Sequence, residues 1–360
     1  MLNNRIIVIN KQRTIEKIKN EDLPLYIWGI GNVALNISNN LKRENIDING
    51  YLLDVPFHVS MYNEKNVYSF DDTSLPNEYA LVVGHSKYEL SDSIKNKYRG
   101  IKEVYCICEM NLGIENEHDY ILNHELDAEE VYEWLADDLS RDIFVAYHNS
   151  MLNDDFRYLI PYVEDGSSYF NNSVWSVRND ESYVDIGAYN GDTIKTFLEC
   201  CCYKYEHIYA FEPDPINYEQ LKCNIRELGV PNIVTVCSGI GEKETEAVLA
   251  LNGNQESKIL FENDEKRDGI KIEIVSLDSF FSHKGKISFI KSNIPYNESA
   301  LIGGKSVIRK WYPRIAIAIG VNEALVIRIP KLIKKLYPDY KIYLRQPAGM
   351  PARLLLLAQT

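Results

Sequence analysis

The sequence has few of the features that mark membrane, secreted or nucleic-acid-binding proteins. No segment approaches the 18 consecutive apolar residues of a transmembrane helix. Basic residues number 39 against 52 acidic ones, giving a net charge of −13. This balance disfavours a nucleic-acid partner, because phosphate binding requires a basic surface. The N-terminal stretch MLNNRIIVINKQR has only a short apolar run, which is not the pattern of a secretory signal peptide. The expected location is therefore cytoplasmic.

The cysteines also lack the spacing that is typical of a zinc site or a disulfide framework. The seven cysteines include Cys106, Cys108 and the run Cys200–Cys202, and they form no CxxC pair. This odd set argues against a zinc site and against a disulfide framework. The sequence therefore predicts a protein without a metal, held together by apolar cores. Hydrophobic residues make up 45% of the 360, which is ample for two domains.

The stretch from Tyr183 to Gly191 predicts a strand followed by a tight turn. Tyr183, Val184 and Ile186 form a short apolar strand, and GAYNG follows, with Gly187 and Ala188 at its start. Glycine lets the backbone turn tightly and approach a ligand closely. Asp192 and Thr193 come next and suit the start of a helix.

A second strand ends at an acidic side chain. Ile208 to Phe211 is apolar and Glu212 follows it, 25 residues after Gly187. An acid at this place typically accepts the two ribose hydroxyls of an adenosine. A third strand, Ile233 to Cys237, ends at Ser238, where the adenine would lie.

The glycine turn differs from the turn of a dinucleotide site. Its spacing is GxxxG, and Asp185 precedes the first glycine. A carboxylate there would repel a pyrophosphate, but it would not repel a sulfonium cation. The pattern therefore favours S-adenosylmethionine over NAD as the cofactor.

A second possible nucleotide-binding turn lies near the N-terminus. Leu25 to Trp28 is a predicted strand, Gly29 and Gly31 form a GxG turn, and Asp54 ends the next strand. This is a good βαβ signal, but a lone GxG turn is weak evidence for a ligand. The turn could hold a nucleotide or nucleotide sugar, or it could belong to a domain that binds none. His85, after the strand Ala80 to Val83, is interpreted as a loop residue.

Strands alternating with helices predict an α/β fold with parallel sheets. We expect two Rossmann-like three-layer domains, in residues 1–125 and 181–360, joined by a helical bridge in 126–180. Further strands and helices are predicted along the chain. They are strands at 49–53, 104–107, 249–260, 271–274, 287–291, 315–319, 341–344 and 354–357, and helices at 87–97, 218–228, 298–310 and 331–336, with a short helix opening at Leu277 and Asp278.

The C-terminal half resembles the FkbM family of S-adenosylmethionine-dependent methyltransferases. The resemblance rests on YVDIGAYNGDTIKTFLE, IYAFEPDPINYEQLKCNI, SLDSFF, ISFIK and WYPRIAIAI, and it covers roughly residues 183–346. The upstream segment LADDLSRDIFVAYHNS is similar to the lead-in of family members with an N-terminal Rossmann-like domain. The resemblance implies a class I methyltransferase fold and methylation of hydroxyls on sugars or polyketide products. It also implies cofactor contacts at Asp185, Gly187, Gly191, Asp192 and Glu212.

The sequence departs from this family where protons would be handled. The family typically has FIKMDIEGAE after the fourth strand, whereas this chain has FIKSNIPYNE. Asn293 replaces the family aspartate, Pro295 and Tyr296 replace glutamate and glycine, and Glu298 keeps its carboxylate. An amide cannot act as a base. The candidate catalytic residues are therefore Glu298, Asn293 and Tyr296.

Three functional interpretations follow. The first is methyl transfer to a sugar, a nucleotide sugar or another small hydroxylated acceptor, by a protein that could form homo-oligomers. The second is a catalytically impaired relative that binds the cofactor and acts as a partner or regulatory subunit. The third is an oxidoreductase that uses the N-terminal turn with NAD, for which the sequence offers no hydride-transfer residues.

Overall fold

The structure, a computed structural model, describes residues 13–55, 57–85, 90–107, 120–166, 168–250, 258–260, 269–320, 323–348 and 354–360. The predictions for Cys108, the start of the helix at 87–97, the middle of the strand at 249–260 and most of the N-terminal stretch lie outside these residues. The chain divides into two compact units. Unit 1 contains Met1–Asp165, Gly320–Ile327 and Leu344–Leu354, and unit 2 contains Gly166–Ile319, Arg328–Tyr343 and Leu355–Thr360.

Unit 1 contains a six-stranded sheet in which the central strands are parallel. The strand order is β3-β4-β2-β1-β5-β6. Ile27 lies opposite Tyr51 on one side and Val82 on the other, so the middle of the sheet is buried. The elements in chain order are α1 (Thr14–Lys19), β1 (Leu25–Trp28), α2 (Asn32–Arg43), β2 (Gly50–Leu53), β3 (Met61–Tyr62), β4 (Lys65–Ser69), β5 (Tyr79–Val83), α3 (Ser91–Lys97), β6 (Ile101–Tyr105), α4 (Tyr120–Asn123), α5 (Glu125–Trp134), α6 (Asp138–Asn153) and β7 (Val163–Glu164).

Two parts of this sheet differ from the sequence prediction. The β3–β4 pair was not predicted, since Val67 is the only buried residue of β4 and gives no apolar pattern. β6 begins at Ile101 and not at Val104, because its second and third residues are exposed and polar and hide its start. The polar surface of each strand, rather than weak strand formation, explains both errors.

The helical segment after residue 125 is broken once. α5 ends at Trp134, and Asp137 then caps α6 by accepting a hydrogen bond from the Ser140 backbone N–H at 2.8 Å. An N-cap carboxylate satisfies one of the free N–H groups at a helix start. After α6 the chain forms two short 3₁₀ turns, Phe156–Tyr158 and Ile160–Tyr162.

A buried hydrogen bond ties α6 to the start of the helix at Glu323. His148 is fully buried, and its Nδ1 lies 2.8 Å from the Glu323 Oε1. The other carboxylate oxygen of Glu323 accepts a hydrogen bond from the Tyr120 backbone N–H at 3.1 Å. All three residues belong to unit 1. Glu323 therefore satisfies one buried and one half-buried group, both more than 170 positions away in the sequence.

Unit 2 is built on a mainly parallel sheet. Its strand order is β10-β9-β8-β15-β16-β18-β17, and a second, four-stranded sheet has the order β11-β14-β12-β13. The elements from residue 182 onward are β8 (Ser182–Ile186), α7 (Asp192–Cys200), β9 (His207–Phe211), α8 (Pro215–Leu228), β10 (Ile233–Val236), β11 (Gly239–Ile240), β12 (Thr245–Ala250), β13 (Lys258–Leu260), β14 (Gly269–Val275), α9 (Leu277–Phe280), β15 (Phe289–Ser292), α10 (Asn297–Gly303), α11 (Lys305–Trp311), β16 (Arg314–Ile319), α12 (Glu323–Leu336), β17 (Lys341–Pro347) and β18 (Leu354–Gln359). The first residues of α12 and β18 and the last residues of β17 belong to unit 1.

The predicted α/β class with parallel sheets is confirmed, and two helix predictions in unit 2 were wrong. The helix predicted over 298–310 is two helices that meet at Gly303 and Gly304, where a side chain on Gly303 would clash with the Gly241 carbonyl. The last helix begins at Glu323 and not at Lys331, since Pro330 lies inside it rather than before it. The predicted domain boundaries stay a prediction. Among the described residues, no helix is long and apolar enough to cross a membrane.

Candidate functional site

The strand order places the predicted cofactor residues at one edge of the unit 2 sheet. β8 lies between β9, which follows it in sequence, and β15, which comes about 100 residues later. From β8, the next strands in sequence are added on one side of the sheet and the later strands on the other side. In open α/β sheets, ligands bind outside the carboxyl ends of the strands at such a switch point.

The turn after β8 needs its glycines for conformation. Gly187 has φ +77° and Gly191 has φ +88°, values that L side chains rarely adopt. The backbone N–H groups of Gly187 and Ala188 both donate to the Phe211 carbonyl, at 3.1 and 2.9 Å. The turn is thereby fixed against the end of β9.

Gly187 is also packed closely against the loop that follows β15. A Cβ at Gly187 would lie 2.8 Å from the Ile294 Cγ2 and 3.1 Å from the Asn293 carbonyl oxygen. The close approach that glycine permits here is therefore to the neighbouring loop of the protein. This contact joins the predicted cofactor turn to the predicted acceptor loop.

Asp185 is completely buried and its charge is balanced within the protein. Its Oδ1 lies 2.8 Å from the Nζ of Lys291, which is itself 2% exposed, and its Oδ2 accepts a hydrogen bond from the Thr193 Oγ1 at 2.8 Å. Lys291 also donates to the Gly187 carbonyl at 3.0 Å. The expectation that Asp185 selects a sulfonium by its charge does not follow from this geometry. Asp185, Lys291 and Thr193 instead hold the turn in shape.

Lys291 was not among the predicted site residues. The parallel register of β8 and β15 places Lys291 directly opposite Asp185. Burial alone would lower the pKa of Lys291, but the Asp185 carboxylate more than offsets it, so the pKa is raised. The signal was present in the sequence, since each of two apolar strands carried one charge and the two charges were of opposite sign.

Glu212 has the donor environment that a ribose-binding acid requires. Its Oε2 accepts the Tyr189 backbone N–H at 2.8 Å, and its Oε1 accepts the Asp214 backbone N–H at 3.0 Å. The residue is 6% exposed, and burial raises the pKa of its carboxyl despite these hydrogen bonds. The side chain of Asn217 also hydrogen-bonds to this carboxylate. A carboxylate has about four lone-pair sites, so the three protein donors leave capacity for a ligand hydroxyl.

Two other predicted cofactor residues, Asp192 and Ser238, differ in their exposure to solvent. Asp192 is exposed and its Oδ1 accepts the Thr193 backbone N–H at 2.7 Å, which stabilises the first turn of α7. Ser238 is 3% exposed at the end of β10. The cofactor roles of these and of the other named residues stay predictions.

The loop after β15 is closed by a hydrogen-bonded asparagine. Asn297 is 1% exposed; its Oδ1 accepts from the Ser292 Oγ at 2.5 Å and its Nδ2 donates to the Ile294 carbonyl at 2.7 Å. Asn293, by contrast, is exposed, and its backbone N–H donates to the Ile186 carbonyl at 3.2 Å. The side chain of Asn293 therefore lies at the surface of the site edge.

Glu298, the predicted base, is engaged by an arginine. Arg328 on α12 donates through Nε to Oε1 at 3.1 Å and through Nη2 to Oε2 at 2.7 Å, which is a bidentate ion pair. Glu298 also lies in the first turn of α10, after Tyr296 at the N-cap. A carboxylate in this arrangement stabilises helix packing, and its catalytic role stays a prediction.

The N-terminal GxG turn is used for packing. A Cβ at Gly29 would lie 2.9 Å from the Gly84 carbonyl oxygen, so this glycine permits a close approach of β1 to β5. The Trp28 Nε1 donates to the Asp54 Oδ1 at 3.2 Å, and the ring of His85 packs edge-on against Trp28. The acid that would bind a ribose already accepts a hydrogen bond from the protein. Both interpretations of this turn, with and without a bound nucleotide, stay predictions.

Comparison with known proteins gives a match to a family domain over part of the chain and similarities in fold. Residues 185–335 match the methyltransferase FkbM domain. The chain is similar in fold to the methyltransferase FkbM from Methylobacillus flagellatus KT, with a TM-score of 0.73 and 18% identity over 99% of this chain and 95% of that one. An rRNA methylase from Streptococcus thermophilus has a TM-score of 0.33 and 16% identity over 51% of this chain and 89% of its own. No curated protein matches.

Proposed function

Because residues 185–335 match the FkbM methyltransferase domain, we propose that the protein is an S-adenosylmethionine-dependent methyltransferase acting on a hydroxyl of a sugar or another small acceptor. The observation that carries the proposal is Glu212, a buried carboxylate at the end of β9 that is held by donors from Tyr189, Asp214 and Asn217 and still has capacity to accept from a ligand hydroxyl. The cofactor would supply an activated methyl group. The protein's residues would supply the turn at Gly187–Gly191, the ribose acceptor at Glu212 and the loop at Asn293.

Two observations support a second candidate, a cofactor-binding protein with impaired catalysis. Glu298 is held by Arg328, and the exposed amide of Asn293 stands where a carboxylate would be expected by the resemblance. A missing base costs about 10² to 10⁴ in rate. Positioning of two reactants can supply about 7 to 11 kcal/mol without a base. Methyl transfer therefore remains the first candidate.

Titration with the two forms of the cofactor separates these candidates from all others. We expect S-adenosylmethionine and S-adenosylhomocysteine both to bind in calorimetry. Release of S-adenosylhomocysteine in the presence of a panel of monosaccharides would then support the transferase. Binding of both ligands without any release would support the impaired relative, and no binding of either would contradict both.

Replacement of Glu212 tests the cofactor site. Glu212→Ala should weaken S-adenosylmethionine binding by at least about 1 kcal/mol, roughly fivefold, because two ribose hydroxyls lose a charged acceptor. Since the pKa of Glu212 is raised, wild-type affinity should fall on acidification at a higher pH than an ordinary glutamate would require. Calorimetry between pH 5 and 8 measures both effects.

The matched control is Glu219→Ala, which removes an exposed carboxylate from α8. Glu212→Gln keeps one acceptor oxygen and should lie between alanine and wild type. If all variants bind the cofactor with equal affinity, Glu212 does not contact the ribose.

The role of Glu298 can be decided by separating stability from turnover. Glu298→Gln should lower the melting temperature slightly and leave methyl transfer and cofactor affinity unchanged, because the bidentate pair with Arg328 is partly exposed. Differential scanning fluorimetry and cofactor-product release measure the two properties. Arg328→Gln removes the same ion pair from the other side and should give the same change in melting temperature. A loss of turnover in Glu298→Gln alone would make Glu298 a catalytic residue.

A further inference from the structure

A groove in unit 1 has the size of a ligand site and lies outside the matched methyltransferase segment. Its volume is about 720 Å³, within the usual range of about 300–1,000 Å³ for ligand pockets. All its lining residues fall between positions 132 and 162, so it belongs to unit 1 alone. We call it the α6 groove.

One wall of the α6 groove is a single face of α6. Asp142, Val145, Ala146 and Asn149 line it, with the i, i+3, i+4, i+7 spacing of one helix side. A face of this kind is normally apolar and covered by another element. Here it carries an exposed carboxylate at one end and a buried amide at the other.

The buried amide has unused hydrogen-bonding capacity. Asn149 is 3% exposed, and among the described residues no group donates to its Oδ1. A buried acceptor without a donor costs about 1 to 3 kcal/mol. A ligand that presents a hydroxyl or N–H would remove that cost after a small rotation of the amide.

The rest of the lining includes two tyrosine rings and an ion pair. Tyr158 and Tyr162 line the groove beside Arg157, whose guanidinium contacts both oxygens of Asp155. The charge of Arg157 is therefore matched by Asp155. Asp142 forms no ion pair with any described residue. The lining has a net charge of about −1, which disfavours a phosphate or carboxylate ligand.

We propose that the α6 groove binds a neutral saccharide. Hydroxyl groups on a sugar both donate and accept, so they can satisfy Asp142 and the Asn149 amide while bonding the edges of the Asp155–Arg157 pair. The apolar faces of the sugar ring would contact Tyr158 and Tyr162, whose rings offer large contact area with one polar end. A cation could use Asp142, the Asn149 oxygen and the tyrosine rings, but it would leave the hydrogen-bond donors of this lining unused.

The test uses the full chain and a panel of neutral probes. Methyl glycosides of glucose, galactose and mannose, with maltose, cellobiose and lactose, would be screened by ligand-observed NMR and then by calorimetry. At least one should bind, and Asp142→Ala and Tyr158→Ala should each weaken that binding by about fivefold or more. Asp138→Ala is the matched control, because Asp138 is on α6, exposed, and absent from the groove lining.

Three results would overturn the proposal. The first is that no saccharide binds to the wild type. The second is that Asp142→Ala and Tyr158→Ala bind the saccharide as tightly as the wild type and the control Asp138→Ala do. The third is that tetramethylammonium binds and the saccharides do not. Both groove residues are exposed or half-exposed, so their replacement should leave the melting temperature close to that of the wild type. None of the lining residues lies in 185–335, so the result is independent of cofactor binding.

Discussion

Replacing Lys291 with methionine should lower the free energy of unfolding of unit 2 by about 3 to 5 kcal/mol, the usual cost of leaving a buried charge without its partner. Lys291 and Asp185 are both almost completely buried and lie 2.8 Å apart. Methionine keeps most of the side-chain volume but leaves the Asp185 carboxylate without a cation. Denaturant unfolding, with hydrogen exchange to localise the change to residues 182–212, measures the effect.

The double variant Asp185→Asn/Lys291→Met distinguishes lost charge pairing from lost packing. It should regain more than half of the lost stability, because a neutral pair avoids the uncompensated charge. A double variant as unstable as the single one would contradict the charge explanation. Lys271→Met is the matched control, since Lys271 forms an exposed pair with Glu246 that should contribute little.

The pH dependence of this pair has a defined sign. The pKa of Lys291 is raised in the folded protein, so its contribution to stability is fully present below the unfolded value of about 10.4. The contribution is lost only as the pH rises through the folded pKa. Stability attributable to Lys291 should therefore be constant through neutral pH and fall in strongly alkaline solution.

Glu323→Ala should destabilise unit 1 by about 3 kcal/mol, since it removes the partner of the buried His148 and of the half-buried Tyr120 backbone N–H. His148 loses its Nδ1 partner, and the Tyr120 backbone N–H loses its acceptor. Thermal unfolding and hydrogen exchange in residues 120–150 measure the loss. Cofactor affinity in unit 2 should be unchanged in protein that remains folded.

Two further variants make this prediction specific. Glu323→Gln keeps an acceptor oxygen at nearly the same place and should cost less than half as much as Glu323→Ala. His148→Phe removes the histidine but leaves a buried carboxylate, so it should also destabilise strongly. An exposed acid on the same unit, Glu133, can be replaced by alanine as the control. Equal stability of Glu323→Ala and wild type would show that the pair does not stabilise unit 1.

Much of the candidate site could be predicted because its signals are local. The glycine spacing at Gly187 and Gly191 requires left-handed backbone, and both residues have it. The acid Glu212 was recognised at the end of an apolar strand. The following helix was predicted from Tyr218, but it begins at Pro215, where the Asp214 side chain caps α8 at 2.8 Å. Such features depend on neighbours within a few residues, so one sequence is enough to identify them.

The roles of charged residues could not be predicted in the same way. Asp185 was expected to face a ligand, but its partner is Lys291, 106 positions later. Glu298 was a candidate catalytic residue, and it is held by Arg328, 30 positions later. Asp54 was one acid of a possible nucleotide turn, and it accepts a hydrogen bond from the indole of Trp28. In each case the ionisable side chain is visible in the sequence, while the partner is not.

The sequence by itself determined the α/β class, the positions of most strands and the place of the glycine turn after β8, because apolar periodicity and glycine conformation act over short distances. The tertiary structure decided which charges are compensated and which hydrogen-bond acceptors keep spare capacity. That outcome depends on the register of β8 against β15 and on the packing of α10 against α12, which bring together residues far apart in the chain. Desolvation makes such pairing obligatory inside the protein, but only the folded chain determines the partner.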